Sequence, residues 1–441
     1  MTWSSSVGGP RGCAAAVAAA RAGVRTLLLE SGGFLGGTGA RVLDTFYGFY
    51  APGGEDRVLG GIGWEVCEAL FERRLAFERP NTYGAGTGVT YEPDALKLVW
   101  EHLVAESGAA LLLHALATAV IMSDSRLVGL IAETRAGPRR VTASIVVDAS
   151  GDAEIAWRAG AAMDRSLAAR HRQPGTATFR VGGVAADPAG KEDLHQAMQN
   201  AASGGYDLPR LEGSIHRTNL SGVWHVNMTR VAGYDVTDPW ELTAAEIEGR
   251  RQVQEYARFL VERVDGYEDA YLLSTSTRLG IRETRRLLGR YVLTRDDVIN
   301  ARDFPDTIAR CGAPLEDHAA GASTRWEYVG SGTQQPTGKT YGIPFRCLLP
   351  RDVEGLIVAG PSAAGRPAHA GCGRDVFTPV RPPVPGPAHG GARARGTEER
   401  HHVRHDQSDD RHDRGALRGR PHVGHPTRAG THGRGAVDRW D

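Results

Sequence analysis

Residues 7–30, VGGPRGCAAAVAAARAGVRTLLLE, constrain the fold more than any other stretch of this chain. Residues 12–22 are rich in alanine and end at Gly23, a residue that commonly follows the last turn of a helix. Residues 24–30 contain a run of leucines, which fits a buried parallel strand. A glycine turn, a helix and a strand in this order predict the beginning of a Rossmann-like α/β fold.

The glycine turn has a partial fingerprint for a dinucleotide, with Gly8, Gly9 and Gly12 present and Val7 where the first glycine would fall. Gly9 would let the backbone approach a pyrophosphate, and Gly12 would let the helix pack close to the strand. The helix N-terminus offers N–H groups to phosphates, and Glu30 stands where a carboxylate accepts hydrogen bonds from ribose hydroxyls. The alternatives are a glycine turn without a ligand and an ordinary carboxylate at the end of a strand.

A second glycine-rich loop, SGGFLGG, follows Glu30 directly and ends at Gly36 and Gly37. In flavoproteins with two dinucleotide-binding halves, a loop at this distance lines the flavin side of the pyrophosphate. The spacing therefore favours FAD over NAD. An NAD-dependent dehydrogenase is the less favoured alternative, because it needs a second βαβ half directly after residue 40.

Three apolar runs, at residues 117–122, 127–133 and 141–147, are separated by turn-forming residues and predict an antiparallel meander. Its last strand runs into DASGD at residues 148–152, which would return a strand to the dinucleotide site. The meander argues against the second βαβ half that an NAD-dependent dehydrogenase needs.

Thr243 and Glu246 have the spacing of a capping box and predict the start of a helix. Asp235 and Asp238, just before them, are interpreted as residues of a turn and of the approach to this helix. The apolar run GLIVAG at residues 355–360 predicts one more strand.

The composition excludes several classes of protein. The 52 basic and 52 acidic side chains balance, so the chain is not built to neutralise the phosphates of a nucleic acid. The five cysteines are scattered without a CxxC pair, which predicts neither a disulfide framework nor a four-cysteine metal site and favours a cytoplasmic location. We read no signal peptide, and the longest apolar run is shorter than the ~20 residues of a membrane helix.

Five longer runs resemble those of a known family, the FAD-dependent oxidoreductases related to the flavin subunit of heterodisulfide reductase. They follow the family's order and cover roughly residues 8–360. The runs are GCAAAVAAARAGVRTLLLESGGFLGG, VVDASGDAEIAWRAGA, HVNMTRVAGYDVTDPWELTAAEIEGRR, STRLGIRETRRLLGRYVLTRDDV and YGIPFRCLLPRDVEGLIVAG.

The resemblance implies an α/β protein with a Rossmann-like FAD-binding domain, a β-meander and an inserted α+β substrate domain. It places the first part of the FAD domain at residues 1–164, the insertion at 165–340 and the return to the FAD domain at 341–372. Some relatives carry a four-iron (4Fe-4S) cluster, but no cysteine cluster that could ligate one is visible in this sequence. The residues implied to bind FAD are Gly8, Gly9, Gly12, Glu30, Gly36, Gly37, Asp148, Gly151 and Asp152.

The chain departs from the family at its start, where MTWSSSVGGPRG stands in place of a strand such as DVVVVGGGPAG. GC-rich codons for MTWSSSVGGPRG, read from the third base, encode DVVVVGGGPAG. We therefore hypothesise that residues 1–12 are a frameshifted reading of the missing first strand.

The chain departs again after about residue 364, where arginine, glycine, proline and histidine dominate. A segment of this composition cannot bury enough apolar surface to offset its chain entropy, so we predict disorder for residues 373–441. An out-of-frame reading of a GC-rich gene would yield such a tail. The alternatives are a natural disordered tail and a histidine-rich metal-binding segment.

Three residues are candidates for the redox chemistry. His318 is a candidate base, since its unperturbed pKa lies near ~6.5, and a surface histidine is the alternative. Arg282 belongs to a cluster that could bind a carboxylate substrate or hold the flavin edge, or could be a salt-bridged helix face, since Arg282 and Arg286 are four residues apart. The other members of the cluster are Arg278, Glu283, Arg285 and Arg286. Arg346 stands where the chain re-enters the FAD domain.

The function predicted is that of a cytoplasmic FAD-dependent oxidoreductase, which transfers hydride or electrons between a small organic substrate and bound flavin. The alternative of another class is a frameshifted, non-catalytic relative with impaired FAD binding. The partners predicted are a small-molecule substrate and an electron acceptor of unspecified kind, with an oligomer allowed and with neither nucleic acid nor membrane.

Overall fold

The computed structural model of the protein describes seven segments, 8–81, 86–165, 173–201, 204–282, 284–317, 325–333 and 335–363. It describes only the backbone of residues 2–6, 317 and 325. All of them belong to the unit Met1–Val384, the first of two units of the chain. The tail predicted at residues 373–441 lies outside the described residues, as does His318.

The described residues form strands and helices in the following order: β1 (Thr2–Ser6), α1 (Pro10–Arg21), β2 (Arg25–Leu29), α2 (Gly37–Arg41), β3 (Thr45–Phe46), α3 (Ile62–Glu72), β4 (Ala76–Pro80), β5 (Thr87–Tyr91), α4 (Pro93–Ser107), β6 (Ala110–Leu112), β7 (Leu116–Ser123), β8 (Arg126–Thr134), β9 (Gly137–Thr142), β10 (Ile145–Asp148), α5 (Glu154–Arg158), β11 (Phe179–Gly182), α6 (Lys191–Ala201), β12 (Ser214–Arg217), β13 (Trp224–Asn227), α7 (Pro239–Arg263), β14 (Tyr271–Thr275), α8 (Arg295–Ile299), β15 (Thr307–Cys311), β16 (Leu315–Asp317), β17 (Arg325–Glu327), β18 (Tyr341–Pro344) and β19 (Leu356–Val358).

A parallel sheet of five strands, in the order β19-β10-β1-β2-β6, carries the dinucleotide fingerprint. The serine-rich segment at the start of the chain supplies its central strand, in which Ser4 pairs with Leu27 on one side and Val146 on the other. The chain runs outward from β1 through β2 to β6, and it later adds β10 and β19 on the opposite side. The order therefore reverses at β1, which is where ligands bind in sheets of this kind.

Burial explains why the neighbouring segments fold as they do. Small residues on α1, including Gly12 and Cys13, are buried and allow this helix to approach the sheet. Leu28 and Leu29 of β2 are inaccessible to solvent, as are the valines of β10. Strands covered on both faces read as continuous apolar runs, which is the pattern that predicted β2.

The meander exists as a three-stranded antiparallel sheet of β7, β8 and β9, but the predicted third strand at residues 141–147 was wrong. That run divides in two. Its first residues close β9, which ends at Thr142, and the rest forms β10 in the parallel sheet. The chain leaves its antiparallel partner there because the side chains of Val146 and Val147 are buried in the central sheet.

The inserted segment contains a four-stranded sheet, β12-β13-β11-β14, packed with α6 and α7 around a core of its own. The predicted capping box at Thr243 was wrong. Helix α7 starts earlier, at Pro239, and the Asp238 carboxylate caps it by accepting hydrogen bonds from the N–H groups of Trp240 and Glu241, both at 2.9 Å. Thr243 lies inside the helix and donates to the Pro239 carbonyl at 2.7 Å.

The predicted fold class is confirmed: an α/β protein with a Rossmann-like sheet, a meander and an inserted α+β segment. The boundaries proposed for the insertion, residues 165 and 340, stay a prediction.

The two candidate caps of α7 can be distinguished by mutation. Replacing Asp238 with alanine removes two hydrogen bonds to orphan N–H groups, and we expect it to lower the free energy of unfolding by about 1 kcal/mol. The matched control, Thr243→Ala, should change it by no more than a few tenths of a kcal/mol, because this residue lies within the helix. Chemical denaturation measures both values, and an equal loss for the two variants would contradict the assignment of the cap.

Candidate functional site

Four loops meet at the carboxyl ends of the parallel strands. The turn after β1 and the loop after β2 are joined by a hydrogen bond of 2.8 Å from the Gly36 N–H to the Gly8 carbonyl. The loops after β10 and β19 are joined by a hydrogen bond of 2.6 Å from the Ser362 hydroxyl to the Gly151 carbonyl. The crevice between these loops is the candidate cofactor site.

Glu30 fixes the geometry of the first two loops. Its carboxylate is fully buried, and one oxygen accepts a hydrogen bond of 2.8 Å from the Gly8 N–H. The other oxygen accepts from the Gly32 N–H at 2.5 Å and pairs with the Arg41 guanidinium at 2.7 Å. Glu30, which the sequence predicts to bind a ribose, is thus held at the edge of the crevice by contacts to the glycine turn, the second loop and α2.

Glycine is required where the two loops approach each other. Gly37 has a φ of +49°, and a Cβ added to it would lie 2.7 Å from the Gly9 Cα. At Gly9 itself a Cβ would meet only the Gly37 Cα, at 4.0 Å, and at Gly151 it would meet nothing within 4 Å. Gly9 and Gly151 therefore leave open space in the crevice that side chains would fill.

The two carboxylates of the DASGD loop have different surroundings. Asp148 is buried and accepts hydrogen bonds from the Ser150 hydroxyl at 2.6 Å and the Ala156 N–H at 2.9 Å, so it stabilises its own loop and the start of α5. Asp152 accepts a hydrogen bond of 2.7 Å from the Thr284 hydroxyl. Burial raises the pKa of Asp152, and the hydrogen bond from Thr284 opposes this.

Arg282 does not lie on a helix face, and that interpretation was wrong. The segment around it has no helical hydrogen bonds, and its buried guanidinium donates to the Pro174 carbonyl at 2.8 Å and the Thr176 hydroxyl at 2.5 Å. Arg286 instead pairs with Asp164, at 3.7 Å. Arg282 and Arg286 therefore bind different parts of the protein and do not share a helix face.

The contacts of Arg346 stabilise the fold around it. Its guanidinium pairs with the Asp306 carboxylate and lies over the rings of Tyr291 and Phe304, 4.7 and 5.3 Å from their centroids. These contacts hold the chain at the end of β18, where it returns to the central sheet. No part of this arrangement places Arg346 beside the glycine turn.

A buried polar cluster was missed by the sequence analysis. Asp44, directly before β3, accepts a hydrogen bond from His216 Nε2 at 2.9 Å and lies 3.4 Å from His225 Nδ1. Arg180 faces the same carboxylate at 3.6 Å and pairs with Glu92 at 2.9 Å. His216, His225 and Arg180 form one row across β12, β13 and β11, and they join the inserted sheet to the segment that follows α2.

The charges of this cluster depend on its burial. Burial lowers the pKa of both histidines, that of His225 to about 3, so both are neutral at neutral pH. Burial opposes the charge of Asp44, but the hydrogen bond from His216 and the positive charge of Arg180 hold its pKa below the usual range. No spacing in the sequence reveals the cluster, because Asp44 and His216 are 172 residues apart.

Among the described residues, no group of three or more histidine, cysteine or acidic side chains is arranged to hold a metal ion. Cys13, Cys67 and Cys347 are free and buried, whereas Cys311 is in a disulfide bond that the sequence analysis did not predict. No helix in the described part of the chain is long and apolar enough to cross a membrane.

The family model of the FAD dependent oxidoreductases matches residues 8–374, a range that includes all four loops of the crevice. The chain belongs to this family. It is therefore an FAD-dependent oxidoreductase. A search of curated proteins found no match.

Several solved structures are similar to this FAD-dependent oxidoreductase. A geranylgeranyl bacteriochlorophyll reductase-like protein from Thermoplasma acidophilum is 17% identical, with 63% of this chain and 66% of that chain covered and a TM-score of 0.40. The p-nitrophenol 4-monooxygenase of Pseudomonas putida is 13% identical, with 85% and 76% covered and a TM-score of 0.43. The myxobacterial chondrochloren halogenase is 14% identical, with 85% and 71% covered and a TM-score of 0.44.

The neutral histidines predict a loss of stability in acid. Their pKa values are lower in the folded state than the 6.5 of an exposed histidine, so below this pH the unfolded chain binds more protons. Each histidine should then lower the free energy of unfolding by up to about 1.4 kcal/mol per pH unit. Denaturation with guanidinium at pH 7.5 and 5.5 measures this difference.

His225→Gln should reduce the difference between the two pH values, because one of the two groups no longer titrates. His102→Gln is the control, since His102 is exposed beside Glu106 on α4. A His225→Gln variant with the full pH dependence of the unaltered protein would show that the buried cluster does not control stability in acid.

Proposed function

We propose that this protein binds FAD in the crevice at the end of β1 and transfers hydride or electrons between the flavin and a small organic substrate. The observation that carries this proposal is the open space at Gly9 and Gly151, on opposite sides of the crevice, where a Cβ would have no close neighbour. A parallel sheet whose strand order reverses at its central strand supplies the same position for a dinucleotide.

The adenosine half of FAD fits the side of the crevice near β2. Glu30 would bind the ribose, and a small pocket lies next to it at the end of β2. Its lining is formed by Leu29, Ser31, Ala115, Leu116, Ala117, Ser150, Glu154 and Ile155.

The pyrophosphate fits between the glycine turn and the second loop. Gly9 is the N-cap residue of α1, with extended backbone and no side chain. The first N–H groups of a helix have no partners within the helix and bear a partial positive charge, so they bind phosphate oxygens. Bound FAD supplies the redox chemistry, while the protein binds, orients and shields it.

We also propose that the relation to the flavin subunit of heterodisulfide reductase concerns the flavin-binding part of that protein and not an iron–sulfur cluster. The support is the separation of the cysteines: Cys13 lies on α1, Cys67 on α3 and Cys347 just after β18, each in a buried environment. Four cysteine ligands close together are what such a cluster needs.

FAD binding can be tested by absorbance. The purified protein should keep a flavin band near ~450 nm through gel filtration. Gly9→Val should abolish the band and leave the fold intact, because no protein atom lies closer than 4.0 Å to the new Cβ. Gly60→Val is the matched control, since nothing lies within 4 Å of a Cβ there and Gly60, just before α3, belongs to none of the four loops.

A folded but colourless protein, with no band after incubation with FAD, would contradict the proposal for this chain. Resequencing the coding DNA and expressing the form that begins DVVVVGGGPAG would then separate two explanations. A yellow protein in the restored frame would show that residues 1–12 impair the site, whereas a colourless one would contradict the FAD site altogether.

A further inference from the structure

One segment of the insertion crosses the cofactor crevice. Residues 277–286, here called the strap, follow β14, and the structure describes all of them except residue 283. At one end the Thr277 N–H donates to the Arg41 carbonyl at 3.0 Å, next to the second loop. At the other end the Thr284 hydroxyl donates to Asp152 at 2.7 Å, in the DASGD loop. The strap thus spans the gap between the loops that flank the end of β1.

The strap carries four arginines, and three of them are engaged by other parts of the protein. Arg282 donates to the Pro174 carbonyl at 2.8 Å, Arg286 pairs with Asp164 at 3.7 Å, and Arg285 lies 4.7 Å from the centroid of the Trp157 ring. Arg278 differs from them, because it forms no hydrogen bond or ion pair with any residue that the structure describes.

The backbone on both sides of Arg278 is fixed. The Thr277 N–H is bound to Arg41, and the Leu279 N–H donates to the Glu246 carboxylate at 2.7 Å. Leu279 is buried in the core of the inserted segment. The position of the Arg278 backbone is therefore set by the fold, while its side chain is left for another partner.

Charged groups of the crevice lie near enough to Arg278 to affect its pKa. Burial by the surrounding protein and the positive charge of Arg41 lower its pKa, whereas the carboxylates of Asp152 and Glu30 raise it. Glu30 follows β2 and Asp152 follows β10, the two strands that flank β1. The hydrogen bond from the Thr277 N–H to Arg41, together with the influence of these carboxylates, places Arg278 at the crevice.

We propose that Arg278 binds the pyrophosphate of FAD, so that the insertion supplies a cofactor contact that the glycine fingerprint lacks. This inference rests on the proposed function. Two phosphates bring two negative charges next to Glu30 and Asp152, and the helix N-terminus offers only a partial positive charge. Arg41 is already paired with Glu30 at 2.7 Å. Arg278 is the remaining described arginine of the strap that can give a charge-assisted, two-pronged hydrogen bond to phosphate oxygens.

The test is the affinity for FAD, measured by the change in flavin fluorescence with the apoprotein. Arg278→Gln should weaken binding by about 10-fold to 100-fold, the loss expected for one charge-assisted hydrogen bond. Arg278→Lys should recover part of the affinity, because it restores the charge without the planar fork. Arg140→Gln is the control, an exposed arginine on β9 without a described ion pair.

ADP and riboflavin distinguish the two halves of the cofactor. ADP has the pyrophosphate and no flavin, so Arg278→Gln should weaken the competition of ADP with FAD by a similar factor. Riboflavin has no phosphate, and its affinity should be unchanged. The affinity for FAD should also depend less steeply on salt in Arg278→Gln than in the unaltered protein.

Equal affinity of Arg278→Gln and the unaltered protein for FAD would overturn the inference and leave the proposed function intact. A loss for FAD without a loss for ADP would also overturn it, because the contact would then belong to the flavin half. Failure of the unaltered protein to bind FAD would overturn the proposed function, and with it this inference.

Discussion

The buried carboxylate of Glu30 is the contact on which the rest of the site depends. It ties the Gly8 N–H of the glycine turn to the Gly32 N–H of the second loop, and its pair with Arg41 extends this link to α2. A buried carboxylate without such partners would be costly, so the three contacts constrain one another. The Arg41 carbonyl then receives the N–H of Thr277, which positions the strap relative to the same crevice.

The inserted segment is attached to the sheet at several points near this crevice. One is the strap, and another is the row of His216, His225 and Arg180 that faces Asp44, three residues after Arg41. At the second attachment, His216, His225 and Asp44 are buried between the insertion and the segment after α2. Interactions of this kind contribute specificity of position, since a displaced partner would leave a polar group unsatisfied.

Much of the local structure was predictable because it depends on neighbours in sequence. The alanine-rich α1, the leucines of β2 and the glycines of the second loop all follow from local pattern. The predictions that failed concern choices that distant contacts make. The run at residues 141–147 looks like one strand, yet it divides because Val146 and Val147 are buried in a different sheet. Thr243 has a suitable partner for a capping box, yet α7 had already begun at Pro239.

The sequence by itself determined the glycine turn, the carboxylate at Glu30 and the resemblance to FAD-dependent oxidoreductases. Each of these depends on one short run of residues or on the order of several such runs along the chain. Only the tertiary structure decided what the arginines do. Arg282 and Arg286, four residues apart, turn to different partners because the segment is not helical. Arg278 pairs with no residue that the structure describes, and we propose the FAD pyrophosphate as its partner. The roles of these identical side chains differ because the surrounding protein, which the sequence spacing does not reveal, sets the partners within reach.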